Sequence, residues 1–406
     1  MISDKQKKIL AFPYSSYDAI ICDGAVRSGK TSIMMIAFVD WAMRNFSGQR
    51  FGVCAKTVNS AKQNIIIPYM GLSYAKNKYS IRWHGSDKIL EVKRGAVTNI
   101  FEIFGGKDES SFALIQGRTL AGVLLDEVVL MPQSFVNQAL IRCSVNGAKL
   151  WFSCNPGSPM HWFYLDWIKR HNERNALYLH FSMRDNPSLS EKTLQTYENN
   201  FTGVFYDRYI HGRWVLAEGV VYADVFDKAK HITDATYETL PVYYVSCDYG
   251  TQNATVFLLW HKLKDGRWIC EKEYYYSGRT EIKQKTDEQY CDDLKLFLGD
   301  IKISGIIIDP SAASFIAALR KRGYIIIPAK NSVLDGIRFT ASLLNQNKLL
   351  FRSCCKNTIE EFGVYSWKPD TAEDEVIKEN DHAMDALRYF CYTHLATSKV
   401  GTAHIR

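Results

Sequence analysis

One octapeptide constrains this chain more than any other segment. Gly24-Ala25-Val26-Arg27-Ser28-Gly29-Lys30-Thr31 fits G-x-x-x-x-G-K-[ST] at every fixed position. It lies between YDAIICDG, which reads as a buried strand, and SIMMIAFVDWAMRNF, whose apolar spacing predicts an amphipathic helix. Phosphate binding needs that context. Glycines let backbone N–H groups wrap an anion, and the start of the next helix adds positive potential. Gly24, Arg27, Ser28 and Gly29 form the cradle. Lys30 is placed to reach the β- and γ-phosphates of ATP, and the Thr31 hydroxyl to ligate Mg2+.

Hydrolysis also needs a carboxylate at the metal and a base for water. AGVLLDE supplies both at the end of an apolar strand: Asp126 to hold magnesium through water, Glu127 to polarise the attacking water. The next apolar strand runs into Ser153-Cys154-Asn155-Pro156, which puts Asn155 where motor ATPases sense the γ-phosphate. Arg118, in IQGRTLAG, is a candidate arginine finger for a neighbouring subunit, and Arg27 a candidate acting within its own chain. RFGVCAKT reads as a further strand and VNSAKQNIIIPYMGL as a helix, while residues 79–104 look like hairpin material turning at Lys93-Arg94-Gly95. The rhythm predicts a parallel sheet with crossover helices, an α/β P-loop NTPase of the ASCE type over residues 1–184.

At 406 residues the chain exceeds one ordinary core, so a second domain is expected. The pattern loosens over 185–236, where RDNPSLSEKTLQTYENNFTGVFYDRYIHGRW reads as one helical stretch and AEGVVYADVF as its exit. That span is the expected linker. A fresh α/β pattern fills 237–406. VYYVSCDYG, ATVFLLWHK and RWICEKEYYYS form a meander with KDG as a hairpin turn, followed by alternating helices and short strands. Asp248 ends the first strand of this half, Asp309 ends ISGIIID, and His382 and Asp385 share one face of the last helix. Three acids on neighbouring elements would converge on one or two divalent ions, which activate water and stabilise the leaving oxygen in phosphodiester hydrolysis. The donors suit Mg2+ or Mn2+, and the histidine mildly favours Mn2+. Glu271 and Glu273 are supplementary candidates that hairpin-edge charge explains as well, and Asp381 reads as a helix-start acid. Strand acid, meander, strand acid, helix acid is the order of a ribonuclease H-like nuclease with a mixed sheet.

Composition excludes several classes. With 47% apolar and 23% charged residues and no low-complexity tract, the chain is neither disordered nor fibrous. The longest apolar run, GVLLDEVVLM, carries two acids, so no membrane span is expected, and MISDKQKKILAF lacks the pattern of a secretory signal. The ten cysteines are scattered without a C-x-x-C pair, which argues against structural zinc and for a reducing, cytoplasmic setting. A net charge of +7 suits a polyanionic partner without demanding one.

Taken in order, GAVRSGKT, LLDE, SCNPG, RDNPSL, GRWVLAEGVVY, CDYG, IIIDP and DHAMDALRY resemble the terminase large subunit of tailed bacteriophages, in the group often carried by prophages of Gram-positive bacteria. The resemblance spans nearly the full length. It implies an ATP-driven motor that translocates viral double-stranded DNA into a procapsid, with its own nuclease cutting the concatemer at initiation and after headful filling. It also implies a homo-oligomeric ring, usually a pentamer, on the portal protein, with a small terminase subunit selecting the DNA; until a portal organises the ring, the isolated chain is expected to be a monomer. The setting would be the host bacterial cytoplasm, outside the mature virion. By the family pattern Lys30, Thr31, Asp126 and Glu127 belong to the motor and Asn155 lies near its coupling element. Asp248, Asp309 and Asp385 are the nuclease carboxylates, with His382 close to the metal. Val26 stands where many members carry arginine, which weakens the role of Arg27. Gln6, with Phe12 and Tyr14, corresponds to a family glutamine that reads the adenine base. Lys368, Arg279 and Lys378 are candidates to track DNA phosphates. Two other readings compete. A repair helicase-nuclease needs a second RecA-like domain that about fifty linker residues cannot hold. An inactive prophage remnant docking on a portal is disfavoured because every motif position carries a competent residue type.

Overall fold

The computed structural model describes residues 2–198, 201–250, 253–277, 284–369 and 371–396, so Arg279 lies outside the described residues. Two compact units are present. The first holds the described residues through Thr196 with Val204–Leu216 and 371–373, and the second holds the rest. The expected linker span is thus shared between them: 185–196 and Val204–Leu216 belong to the first unit, and the described residues of 197–203 with those from Ala217 onward to the second.

The first unit is built on eight strands: β1 (Ala19–Gly24), β2 (Arg50–Ala55), β3 (Ser80–His84), β4 (Ile89–Arg94), β5 (Val97–Gly105), β6 (Gly122–Leu125), β7 (Lys149–Ser153) and β8 (Ala176–Phe181). Their order is β3-β4-β5-β2-β6-β7-β1-β8. Pairing is parallel except where β3, β4 and β5 form the expected antiparallel hairpins. All six residues of β1 are buried, because helices cover both faces of the sheet. On one face the helix Lys30–Asn45 sets Phe38 and Trp41 against Phe51, Phe101 and Trp151. On the other, the helix Gln133–Arg142 packs Phe135, Val136 and Ala139 with Phe152 and Trp167. One strand, β7, separates the phosphate-loop strand β1 from the acid-bearing strand β6, as in ASCE-type P-loop NTPases.

The helix expected over 58–72 forms, with its middle turn Lys62–Ile66 widened to i→i−5 bonding before Pro68. The single helical stretch expected near 190–210 is instead two helices, Glu191–Glu198 and Gly203–Tyr209. Gly203 has a φ of 50°, a left-handed conformation that a continuous helix cannot include.

The second unit contains β9 (Thr239–Asp248), β10 (Ala254–Leu263), β11 (Trp268–Ser277), β12 (Ile306–Ile308), β13 (Ile326–Pro328) and β14 (Leu349–Phe351) in the order β13-β12-β9-β10-β11-β14. β9, β10 and β11 are the antiparallel meander, while β12 and β13 continue parallel to β9. This is the ribonuclease H-like mixed sheet. Helices Asp287–Leu298 and Ala313–Lys321 cover one face through Tyr290, Leu294, Phe315 and Leu319. The last helix, His382–Tyr389, covers the other, and Phe390 beyond it stacks on Trp260 with ring centroids 4.3 Å apart. That pair adds about 1 kcal/mol to simple burial and fixes the helix so that its start lies beside the end of β9. β8 and β14 have no counterpart among the expected strands.

Candidate functional site

Two sites emerge, one in each unit. In the first, Gly24 turns out of β1 with φ 121°, and a Cβ there would lie 1.9 Å from the Phe181 carbonyl, so only glycine fits. The helix Lys30–Asn45 starts from Gly29 in a left-handed conformation and has no side-chain cap. Its first N–H groups are left for an anion. Lys30 is buried, and its Nζ donates to the carbonyls of Gly24 (3.0 Å) and Ala25 (2.8 Å), to Ser28 Oγ (3.2 Å) and to Asn155 Oδ1 (3.2 Å). Thr31 Oγ1 donates to Asp126 Oδ1 at 2.7 Å, and Ser153 Oγ donates to the same oxygen.

Glu127 sits at φ 53°, a strained conformation for a residue with a side chain. It turns the carboxylate toward Asn155, whose Nδ2 donates to Glu127 Oε1 at 2.6 Å. Asn155 therefore joins the phosphate-binding lysine to the acid expected to act as base. Burial, with the neighbouring Asp126 charge, pushes the Glu127 carboxyl up to about 7. Burial likewise raises Asp126 and lowers Lys30, the latter partly offset by Glu127. Thr31 and Asp126 present hard oxygen donors side by side, the chemistry that Mg2+ selects.

Of the other expected residues, Gln6 reaches the loop: its Nε2 lies 2.7 Å from where a Gly29 Cβ would be. Phe12 does not, being buried edge-on against Trp151 in the core, and Tyr14 lies on the surface under Arg44. Arg27 is exposed, and its carbonyl accepts from Asn186 Nδ2. Arg118 is held by Glu102 on β5 at 3.3 Å, four strand spacings from β1, or about 19 Å. Within the chain it is not brought to the loop.

A clasp on the loop escaped the sequence reading. Buried Asp23, next to Gly24, accepts from Trp214 Nε1 at 2.7 Å and contacts His180 Nδ1 at 2.9 Å, while Val26 N–H donates to the Tyr209 carbonyl. Gly212, at φ 73°, lies against the loop: a Cβ would meet Ala25 N and Gly24 Cα at 3.0 Å. Gly212→Ala is expected to cost about 1–2 kcal/mol of stability and to weaken nucleotide binding by displacing the loop. Thermal unfolding with and without ADP checks both effects, and an unchanged ADP-induced shift in Tm would sink the second.

In the second unit, Asp248 at the end of β9 accepts from His382 Nδ1 at 2.9 Å. Burial pushes the Asp248 carboxyl up, against the His382 hydrogen bond. For His382 burial works downward, but the hydrogen bond and charge of Asp248 outweigh it and the imidazole is raised. Asp309, at the end of β12, accepts from Ser311 N–H at 2.7 Å and Tyr389 O–H at 3.2 Å. Although partial burial opposes it, these bonds hold Asp309 below the usual carboxylate range. Asp385 is engaged by Arg388 at 2.8 Å and by Lys378 at 3.4 Å. The donors are carboxylates with one imidazole, which fit a hard divalent ion. As they stand, no three such side chains among the described residues are gathered closely enough to hold one.

Three other acids have structural work. Glu271 pairs with Arg352 and His261, and Glu273 caps the helix Lys356–Val364 through the N–H groups of Asn357 and Thr358. Asp381 precedes the last helix without capping it. That cap comes from Glu361, which accepts from the N–H groups of Ala383 (2.8 Å) and Met384 (3.1 Å) and which burial raises to about 7. Lys368 pairs with Glu375.

Comparisons with known proteins point to one family. The family profile "Terminase large subunit, T4likevirus-type, N-terminal" matches residues 21–224. The chain is similar to the large terminase from a thermophilic bacteriophage, with 49% identity, 97% of this chain and 99% of that chain covered, and a TM-score of 0.92. The same phage protein in complex with ADP gives 48% identity, 97% and 100% coverage, and a TM-score of 0.90, and it is also known in complex with ATP-γ-S. The "Terminase, large subunit" of Escherichia phage T5 is 26% identical over 239 residues, 54% of this chain. The match spans 52% of that curated relative, about half its length. No helix among the described residues is long and apolar enough to cross a membrane.

Proposed function

Since the chain belongs to the terminase large subunit family, we propose that it is the ATP-driven motor that moves viral double-stranded DNA into a procapsid, and that its second unit cuts the DNA concatemer. Support comes above all from the Lys30–Asn155–Glu127 chain of hydrogen bonds, which ties the phosphate loop to a half-buried acid poised near neutrality. In this function ATP takes the place of the loop carbonyls at Lys30. Glu127 accepts the proton of the water that attacks the γ-phosphorus, and ADP is the leaving group. Gly29 and Ser28 N–H groups hold the phosphates, Gln6 flanks the loop, and Thr31 with Asp126 would hold Mg2+. Arg118 then serves a neighbouring subunit in a ring, where its distance from its own loop is no obstacle.

In the nuclease unit Asp248, Asp309 and Asp385 would hold Mg2+ or Mn2+, with His382 orienting Asp248. Once bound, such ions activate water and stabilise the leaving 3′-oxygen. Partners in this function are the portal protein, a small terminase subunit and further copies of the chain, in the host cytoplasm.

The test is plasmid nicking and linearisation with Mg2+ or Mn2+. Wild type cuts, and Lys30→Ala still cuts without ATP while losing ATP turnover, because the two sites use separate residues. A wild-type chain inert in both metals would falsify the nuclease half.

A further inference from the structure

The first unit carries a groove of about 660 Å³ far from the phosphate loop, at the β3 edge of the sheet. It is lined by Lys76 and Lys78 from the helix Ser73–Lys78, and by Lys93 and Arg94 from the end of β4. The Ser80–Lys93 pairing of β3 with β4 brings these two elements together. None of the lining residues is acidic. Lys76, Lys93 and Arg94 are exposed, and no carboxylate among the described residues pairs with them. Lys78 is different: its Nζ lies 2.6 Å from Asp40 Oδ2, and Tyr79 O–H donates to Asp40 Oδ1 at 2.8 Å.

Resting on the packaging function above, we propose that this groove is where the motor unit grips the phosphate backbone of duplex DNA. Clustered like charges repel one another, and three unpaired cations around an open groove are relieved by a polyanion. Protein-binding surfaces enrich aromatic side chains and deplete lysine, and here the sole lining aromatic, Tyr79, is buried. Phosphate contacts carry no sequence information, which is what a sliding motor requires. Asp40 lies on the helix Lys30–Asn45 that begins at the phosphate loop. Lys78 and Tyr79 thus anchor the groove to that helix about 15 Å along its axis from Lys30, and a load on the DNA is borne by the element that holds the nucleotide.

The test is the salt dependence of binding of a labelled mixed-sequence duplex to the full chain, in EDTA so that no cleavage occurs. The Lys76→Gln/Lys93→Gln/Arg94→Gln variant should lower the slope of log K against log salt by about 2.7, so its deficit against wild type shrinks about 40-fold between about 50 and about 200 mM salt. A charge-matched control, Lys295→Gln/Lys302→Gln/Lys321→Gln, alters exposed lysines of the second unit and should keep the wild-type slope. Equal slopes for wild type and the groove variant overturn the proposal, as does an equal loss in both variants, which would mark a general charge effect. If wild type itself binds duplex without salt dependence, the packaging function fails with it.

Discussion

Glu127→Gln is expected to bind ATP with near-wild-type affinity and to hydrolyse it about 10³-fold more slowly, within the range that a general base supplies. The substitution keeps the shape of the side chain and an oxygen for the Asn155 amide, so the loop should stay in place. Only proton acceptance is lost. Because burial and Asp126 raise the Glu127 carboxyl to about 7, wild-type turnover should also depend on pH in a definite sense. The base works ionised, so kcat falls as pH drops below about 7 and levels off above it. Glu127→Gln should lack that limb. A wild-type profile flat from mildly acid to mildly alkaline pH, or a Gln variant as fast as wild type, would remove Glu127 from the role of base.

Asp248→Asn and Asp309→Asn should each lower plasmid cleavage by at least about 10³-fold, equivalent to about 4 kcal/mol of transition-state stabilisation, in either Mg2+ or Mn2+. The reason is charge: a neutral amide cannot balance a divalent ion, although it preserves the local hydrogen bonds. Asp248 keeps an acceptor for His382 and Asp309 an acceptor for Ser311 and Tyr389, so both variants should melt close to wild type. Glu273→Gln is the informative contrast. Its carboxylate caps the helix Lys356–Val364, so this variant should lose stability while still cutting DNA. Cleavage surviving in both aspartate variants would make the strand-end acids structural.

Much of both sites was legible because their signals are local. The phosphate loop is eight contiguous residues between a buried strand and an amphipathic helix, and the strand-end acids follow directly from short apolar runs. β8 and β14 left no such mark. Neither runs into a motif residue as β1, β6, β7, β9 and β12 do, and each is fixed by pairing with a distant partner, β1 for β8 and β11 for β14.

The roles of individual polar groups divide the same way. Residue type at Lys30, Thr31, Asp126, Asp248 and Asp309 was set by chemistry that the chain displays locally. Tertiary structure alone decided that Asn155 bridges Lys30 to Glu127, that Trp214 and Gly212 clasp the loop, and that Glu361, not Asp381, caps the last helix. Those contacts join positions as much as 191 residues apart. A buried polar group must find a partner wherever the packed chain places one, and periodicity within a segment carries no information about where that is.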